Sequence, residues 1–230
     1  MKNIKSDKSN KTLEERMNVI RAGVLGSNDG ILTVVGVLFS VGAATNNQFT
    51  IFIAGLADLL ACALSMASGE YASVSSQSDS EKVVVANETR RLEENPSMVE
   101  QEISDIYVSK GITKETANEI AKELMNKNPL QTILSLKYDI QLNHYVSPWG
   151  AAFSSLVCAA LGGAFPLIAL VITTANWQVV TTILATTVAV GLTGYLSALI
   201  GNGLPKKAII RNIVIGLITI AIHYGIGLLF

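Results

Sequence analysis

Charge is scarce in this chain, and the little there is lies segregated. Only 15% of the 230 residues are charged against 50% hydrophobic ones, and the mean hydropathy of +0.42 is too high for an ordinary soluble surface. The 2 cysteines exclude a disulfide-stapled scaffold. The apolar content excludes a disordered chain, and 18 glycines without a three-residue period exclude a collagen-like one. A formal net charge of -1, with no basic face in the balance, leaves no footprint for nucleic acid.

Catalytic and cofactor motifs are equally wanting. No His-x-x-x-His, Glu-x-x-His or Cys-x-x-Cys spacing occurs, which speaks against zinc-hydrolase and di-iron chemistry. Gly191, Gly194, Gly201 and Gly203 do not form a phosphate-cradling loop, and no Walker lysine follows a glycine run. His144 and His223 read as isolated, and Cys62 and Cys158 as small packing residues within apolar stretches. The expectation is a protein that is not an enzyme and holds no permanent cofactor.

What is present is a charge map. Residues 1–21 hold six Lys/Arg and three acids, whereas 22–78 hold no basic residue and only Asp29, Asp58 and Glu70. Residues 79–145 carry eight Lys/Arg and twelve Asp/Glu, and beyond them the only charges are Lys206, Lys207 and Arg211. Crossing the hydrocarbon core takes roughly 20 apolar residues. Five stretches qualify, 22–44, 50–73, 148–173, 178–200 and 208–230, so the predicted fold is all-α, an integral membrane protein with five transmembrane helices. The leader is too polar, and the first apolar stretch too long, for a cleaved signal peptide. The positive-inside rule puts the leader 1–21, the insert 79–145 and the Lys206/Lys207/Arg211 loop in the cytoplasm, with the uncharged connections around 45–48 and 174–177 opposite. The chain thus divides into the leader, helices 1 and 2 (22–78), the insert, and helices 3 to 5 (146–230).

The insert is predicted to be a small helical unit between helices 2 and 3. Ser97-x-x-Glu100 after Pro96 reads as a capping box opening a helix with Ile103, Ile106 and Tyr107 on one side, ended by Gly111. A second helix covers 113–126, with Ala117, Ile120, Ala121 and Leu124 on one face, and a third covers 130–143. Residues 81–91 contain no Gly or Pro, so the second span should continue through them as one helix.

Chemistry is expected at the intramembrane acids. An acid in a span is costly and survives mainly beside a polar path or a partner, and no intramembrane base is expected to pair with these three. Asp29 is flanked by Gly26 and Gly30, which let a neighbouring helix approach; the plainer alternative is a helix-start residue at the interface. Asp58 lies mid-span with Met66 two turns on, a carboxylate and a thioether that could face one crevice and favour later first-row metals over hard cations. Ala57, Ala61, Ser65, Gly69 and Ser73 form a small-residue stripe that predicts a tight helix pair, within the chain or across a two-fold axis. Glu70 stands at the cytoplasmic end, either guarding an entrance or simply snorkelling to water.

The run Arg21-Ala22-Gly23-Val24-Leu25-Gly26-Ser27-Asn28-Asp29-Gly30-Ile31, with Gly55-Leu56-Ala57-Asp58, Ser65-Met66-Ala67-Ser68-Gly69-Glu70-Tyr71 and Ser73-Val74-Ser75-Ser76-Gln77, resembles the vacuolar iron transporter family. The resemblance covers nearly the whole chain. It implies a homodimer in the lipid bilayer that exports Fe²⁺, often also Mn²⁺, in exchange for protons. It carries the metal translocation residues onto Asp29, Asp58 and Met66, with Asp58 a departure because the family commonly has Glu there. The family's cytoplasmic metal-binding residues fall on Glu88, Glu102 and Asp139, but Arg91, Val99, Ser135 and Leu136 occupy the companion positions, which implies a weakened site or an insert that serves only for dimer packing. The short leader and the Gly69-to-Ser75 pattern look prokaryotic, pointing to a cell membrane, with a vacuolar membrane as the alternative. Rival readings are a non-transport membrane scaffold and an exchanger of another divalent cation.

Overall fold

A computed structural model of the protein describes residues 13–142, 146–174 and 176–229. The basic leader up to Lys11, His144 and the end of the fifth span at Phe230 lie outside the described residues, as do the expectations resting on them. Every regular element among the described residues is an α-helix: α1 Leu13–Ala44, α2 Gln48–Glu94, α3 Pro96–Ser109, α4 Lys114–Lys127, α5 Pro129–Tyr138, α6 Pro148–Ile172, α7 Gln178–Ile200 and α8 Pro205–Gly227.

Five of these, α1, α2, α6, α7 and α8, are long and apolar enough to cross a membrane. They follow the five predicted stretches closely. The exception is the start of α1, which lies at Leu13 rather than 22 because good helix formers, Glu14 to Met17, carry the helix past the apolar limit. α2 is unbroken to Glu94, as the lack of Gly and Pro in 81–91 predicts, and Asn95-Pro96 stops it because the residue before a proline is pushed out of the helical region.

The chain clusters into two units, one drawn from Arg16–Ser73 and Ser147–Phe230, the other chiefly from Val74–Val146. In the first, α1 is the hub. Val34 and Leu38 pack with Ile51 of α2 and with Leu167 and Leu170 of α6. Ile31 packs on Ala189 and Val190 of α7, and Val35 and Phe39 on Ile220 of α8. Up to Gly162 α6 turns small residues inward (Ala151, Ser155, Ala159, Gly162), while Phe153, Leu161 and Ile172 are 68%, 62% and 75% exposed. That is the reverse of a soluble helix and suits packing in lipid, where small residues let backbones approach. Between α1 and α6 the approach is closest at Gly30: a Cβ there would strike the backbone carbonyl of Ala159, so the two helices touch main chain to main chain beside Asp29. The expectation that glycines around Asp29 admit a neighbouring helix is met by α6.

The second unit buries Val99 and Ile103 of α3, Ala121 of α4 and Ile133 of α5, with Leu92, Ile106, Leu124 and Leu136 around them. Its helices lie where amphipathic spacing puts them, but the predicted capping box does not form. Pro96 takes the first helical position, where its missing N–H costs nothing, so the cap falls on Asn95 and no side chain makes a capping bond. α5 stops at Tyr138 rather than at 143, because Asp139 adopts a left-handed conformation (φ 57°) and Gln131 Oε1 accepts from the Leu142 N–H at 2.9 Å, folding the chain back.

Candidate functional site

Asp29 lies in the interior of α1, which removes its alternative reading as a helix-start residue. Asp58 and Cys62, one turn apart on α2, face it. The Cys62 thiol donates to Asp29 Oδ2 at 3.5 Å, and Asp58 lies within electrostatic reach of both Asp29 and His223. Cys62 therefore belongs to the polar track and does more than fill space.

One turn beyond Asp29 on α1 stands Thr33. Its Oγ1 and Asp58 Oδ2 are buried without a hydrogen bond of full geometry, and the hydroxyl stands close beside the Asp58 carboxylate and the Cys62 thiol. Both residues line a cleft of about 370 Å³ whose wall is completed by Leu32, Val37, Thr219 and His223. Three helices thus meet at this point: α1, α2 and α8. The reading of His223 as isolated, and of the acids as lacking any intramembrane base nearby, is corrected here. The signal was available in principle, because a lone imidazole in an apolar span is itself costly and asks for a partner.

Met66 is half-buried further along α2 and does not line this cleft, so the structure does not bring it into one wall with Asp58. Glu70 is also half-buried, and its neighbour Tyr71 packs against Trp149 at 4.8 Å between ring centroids. The small-residue stripe, Ala57, Ala61, Ser65, Gly69 and Ser73, is exposed at every position, and nothing lies within 4 Å of a Cβ built on Gly69. The tight helix pair this stripe predicts is not made among the described residues. Among the described residues no three His, Cys, Asp or Glu side chains come together closely enough to hold a metal alone.

In the second unit Glu88 and Glu102 are brought together, but around cations of the chain itself. Arg91 Nη1 donates to both carboxylate oxygens of Glu88 at 2.7 Å, and its Nη2 donates to Glu102 at 2.6 Å. Lys137 Nζ reaches the other Glu102 oxygen at 2.6 Å and Glu88 at 3.5 Å, and the Tyr138 hydroxyl donates to Glu88 at 2.8 Å. Glu88 is 2% exposed, so these charge-assisted bonds carry its burial. Burial pushes the Glu102 carboxyl up, yet the bonds and charges of Lys137 and Arg91 outweigh it and hold the group below the usual carboxylate range. The same bond to Glu102 raises Lys137. Asp139 caps α5, exposed, and takes part in none of these ion pairs. Val99 and Leu136 are core residues, and Ser135 donates to the backbone of Gln131.

Comparison with known proteins follows the same lines. The sequence model of the VIT family matches residues 20–228. A vacuolar iron transporter of Acanthamoeba castellanii is 34% identical over 211 residues, 91% of this chain and 78% of its own length. Vacuolar iron transporter homolog 3 of Arabidopsis thaliana is 31% identical over 92% of this chain and 82% of its own. Vacuolar iron transporter 1 of Eucalyptus grandis is 24% identical over 91% and 85%.

Proposed function

This chain is a multi-pass membrane protein that belongs to the VIT family, and from that membership we propose that it carries divalent transition metal, Fe²⁺ and also Mn²⁺, out of the cytosol in exchange for protons. The observation that carries the reading is the buried Asp58 carboxylate, beside nothing stronger than the Thr33 hydroxyl, with Asp29 in electrostatic reach and no Lys or Arg anywhere in residues 22–78. An ionised carboxylate in a low-dielectric span is costly until a cation or a proton joins it. Metal and proton compete for one group, so loading one releases the other. Asp29 and Asp58 are the exchange pair, Met66 tunes metal choice from further along α2, and Glu70 lies at the entrance.

The protein works as a homodimer. The exposed small-residue face of α2, flanked by Leu60 and Leu64 at 54% and 64% exposure, suits a second copy of the same helix. An incomplete set of donors in one protomer fits a path completed by the other. The leader, the insert and the Lys206/Lys207/Arg211 segment face the cytosol by their charge, and the membrane is that of a prokaryotic cell. In the insert, a metal reaching Glu88 and Glu102 must first displace Arg91 and Lys137, so this site is weak.

The test is Fe²⁺ and Mn²⁺ flux into proteoliposomes under an imposed pH gradient, for the unmodified chain, Asp29→Asn and Asp58→Asn. Metal uptake coupled to counter-moving protons, and lost in both variants, is expected. Undiminished flux in Asp29→Asn and Asp58→Asn, or no flux of either metal from folded dimer, would sink the assignment.

A further inference from the structure

His223 is held in a definite pose. Its Nδ1 lies 2.9 Å from the Thr219 carbonyl oxygen, which only accepts, so Nδ1 carries the proton and Nε2 of the neutral ring keeps a lone pair. The ring is pressed against α1 at Gly36: a Cβ there would lie 2.8, 2.8 and 2.9 Å from Cδ2, Nε2 and Cε1. Near-equal distances to three adjacent ring atoms mean that the imidazole offers its face to Gly36, which leaves the in-plane lone pair of Nε2 unobstructed from that side. The same helix contact is fastened by Ser40, whose hydroxyl donates to the His223 carbonyl at 3.0 Å. The cleft that His223 lines is also lined by Asp58 and Thr33, whose buried oxygens make no hydrogen bond of full geometry and have only each other and the Cys62 thiol close by.

We propose that His223 is a metal ligand of the transport path, giving the cleft between α1, α2 and α8 a mixed site of one imidazole nitrogen, the Asp58 carboxylate and the Thr33 hydroxyl. This deepens the transport reading and rests on it. The donor set explains why three polar groups converge inside an apolar bundle, since a bound divalent ion satisfies Asp58, Thr33 and Nε2 together. Nitrogen alongside oxygen selects first-row transition ions over Mg²⁺ and Ca²⁺, which prefer oxygen alone. The remaining coordination positions are filled by water or by the second copy, in keeping with the absence of a three-residue metal cluster among the described residues.

The experiment uses the full chain in lipid nanodiscs, loaded with Mn²⁺ alone, and reads both equilibrium affinity and nitrogen modulation in pulsed EPR. The chain has 2 histidines, so the assignment is unambiguous. Imidazole-type modulation in the unmodified protein and in His144→Gln, but not in His223→Gln, is expected. With it goes a loss of affinity on the order of 10- to 100-fold in His223→Gln. Gly36→Ala, which would push the ring out of its place, should give the same losses with the histidine still present. Modulation that survives His223→Gln, or never appears although Mn²⁺ binds and Asp58→Asn abolishes that binding, would overturn the assignment while leaving the transport reading standing. Failure of the unmodified chain to bind Mn²⁺ at all would overturn this assignment together with the Mn²⁺ part of the transport reading.

Discussion

Arg91 grips Glu88 from one helical turn away, its Nη1 placed 2.7 Å from each of the two carboxylate oxygens. A buried acid that finds its counter-charge so close on the same helix has no need of a metal. With Nη2 on Glu102, the guanidinium fills the space between two acids that resemblance to the family assigns to metal binding.

Replacing that guanidinium should reopen the site. In Arg91→Glu a cation is removed and a carboxylate added between Glu88 and Glu102. Ligand charge is a main determinant of divalent affinity, so Mn²⁺ binding in the insert should tighten roughly tenfold or more. Calorimetric titration of the full chain checks this; a stoichiometry and affinity identical to the unmodified protein would show that Arg91 is not what keeps metal out.

The insert should be acid-sensitive. The Glu102 carboxyl is held below its ordinary value of 4.5, so its stabilising contribution is complete above that value and is lost as pH falls through the lower folded one. Lys137 has the opposite sign: raised above 10.5, it contributes fully below that value and loses its hold as pH rises through the higher folded one. Hydrogen exchange of α3 and α5 amides between pH 3 and 7 should show protection falling at the acid end. Glu102→Gln should flatten that dependence, and an unchanged profile in this variant would remove Glu102 as its cause.

Two glycines should respond in opposite ways. Gly30→Ala places a methyl group on the Ala159 main chain, which has no flexible end to yield, and should cost about 1–3 kcal/mol of stability in thermal unfolding. A Cβ at Gly69 meets nothing within 4 Å, so in Gly69→Leu helix content should be kept while the dimer fraction, read by native mass spectrometry, falls. A dimer indifferent to a bulky residue at 69 would place the two-fold contact elsewhere.

Much of this architecture is local and was therefore readable from the chain. Five spans, an unbroken α2 and three short helices in the insert follow from runs of apolar residues, the absence of Gly and Pro between 81 and 91, and stops at Asn95-Pro96 and Asn128-Pro129. Asp29 and Asp58 declare themselves because a lone acid in an apolar run has few structural excuses. The capping box at Ser97 failed because two signals competed for one helix start, and the proline decided it.

What only the tertiary structure decided is which residues face one another. Asp58 meets His223 across a cleft, Cys62 meets Asp29, and Arg91 rather than a metal joins Glu88 to Glu102. The reason is rotational phase. Helices as evenly apolar as α7 and α8 present no polar face from which their orientation can be read, so the azimuth of His223 is set by packing, through the gap that Gly36 leaves on α1. Composition and period place each helix in the membrane; contacts between helices distant in sequence assemble the site.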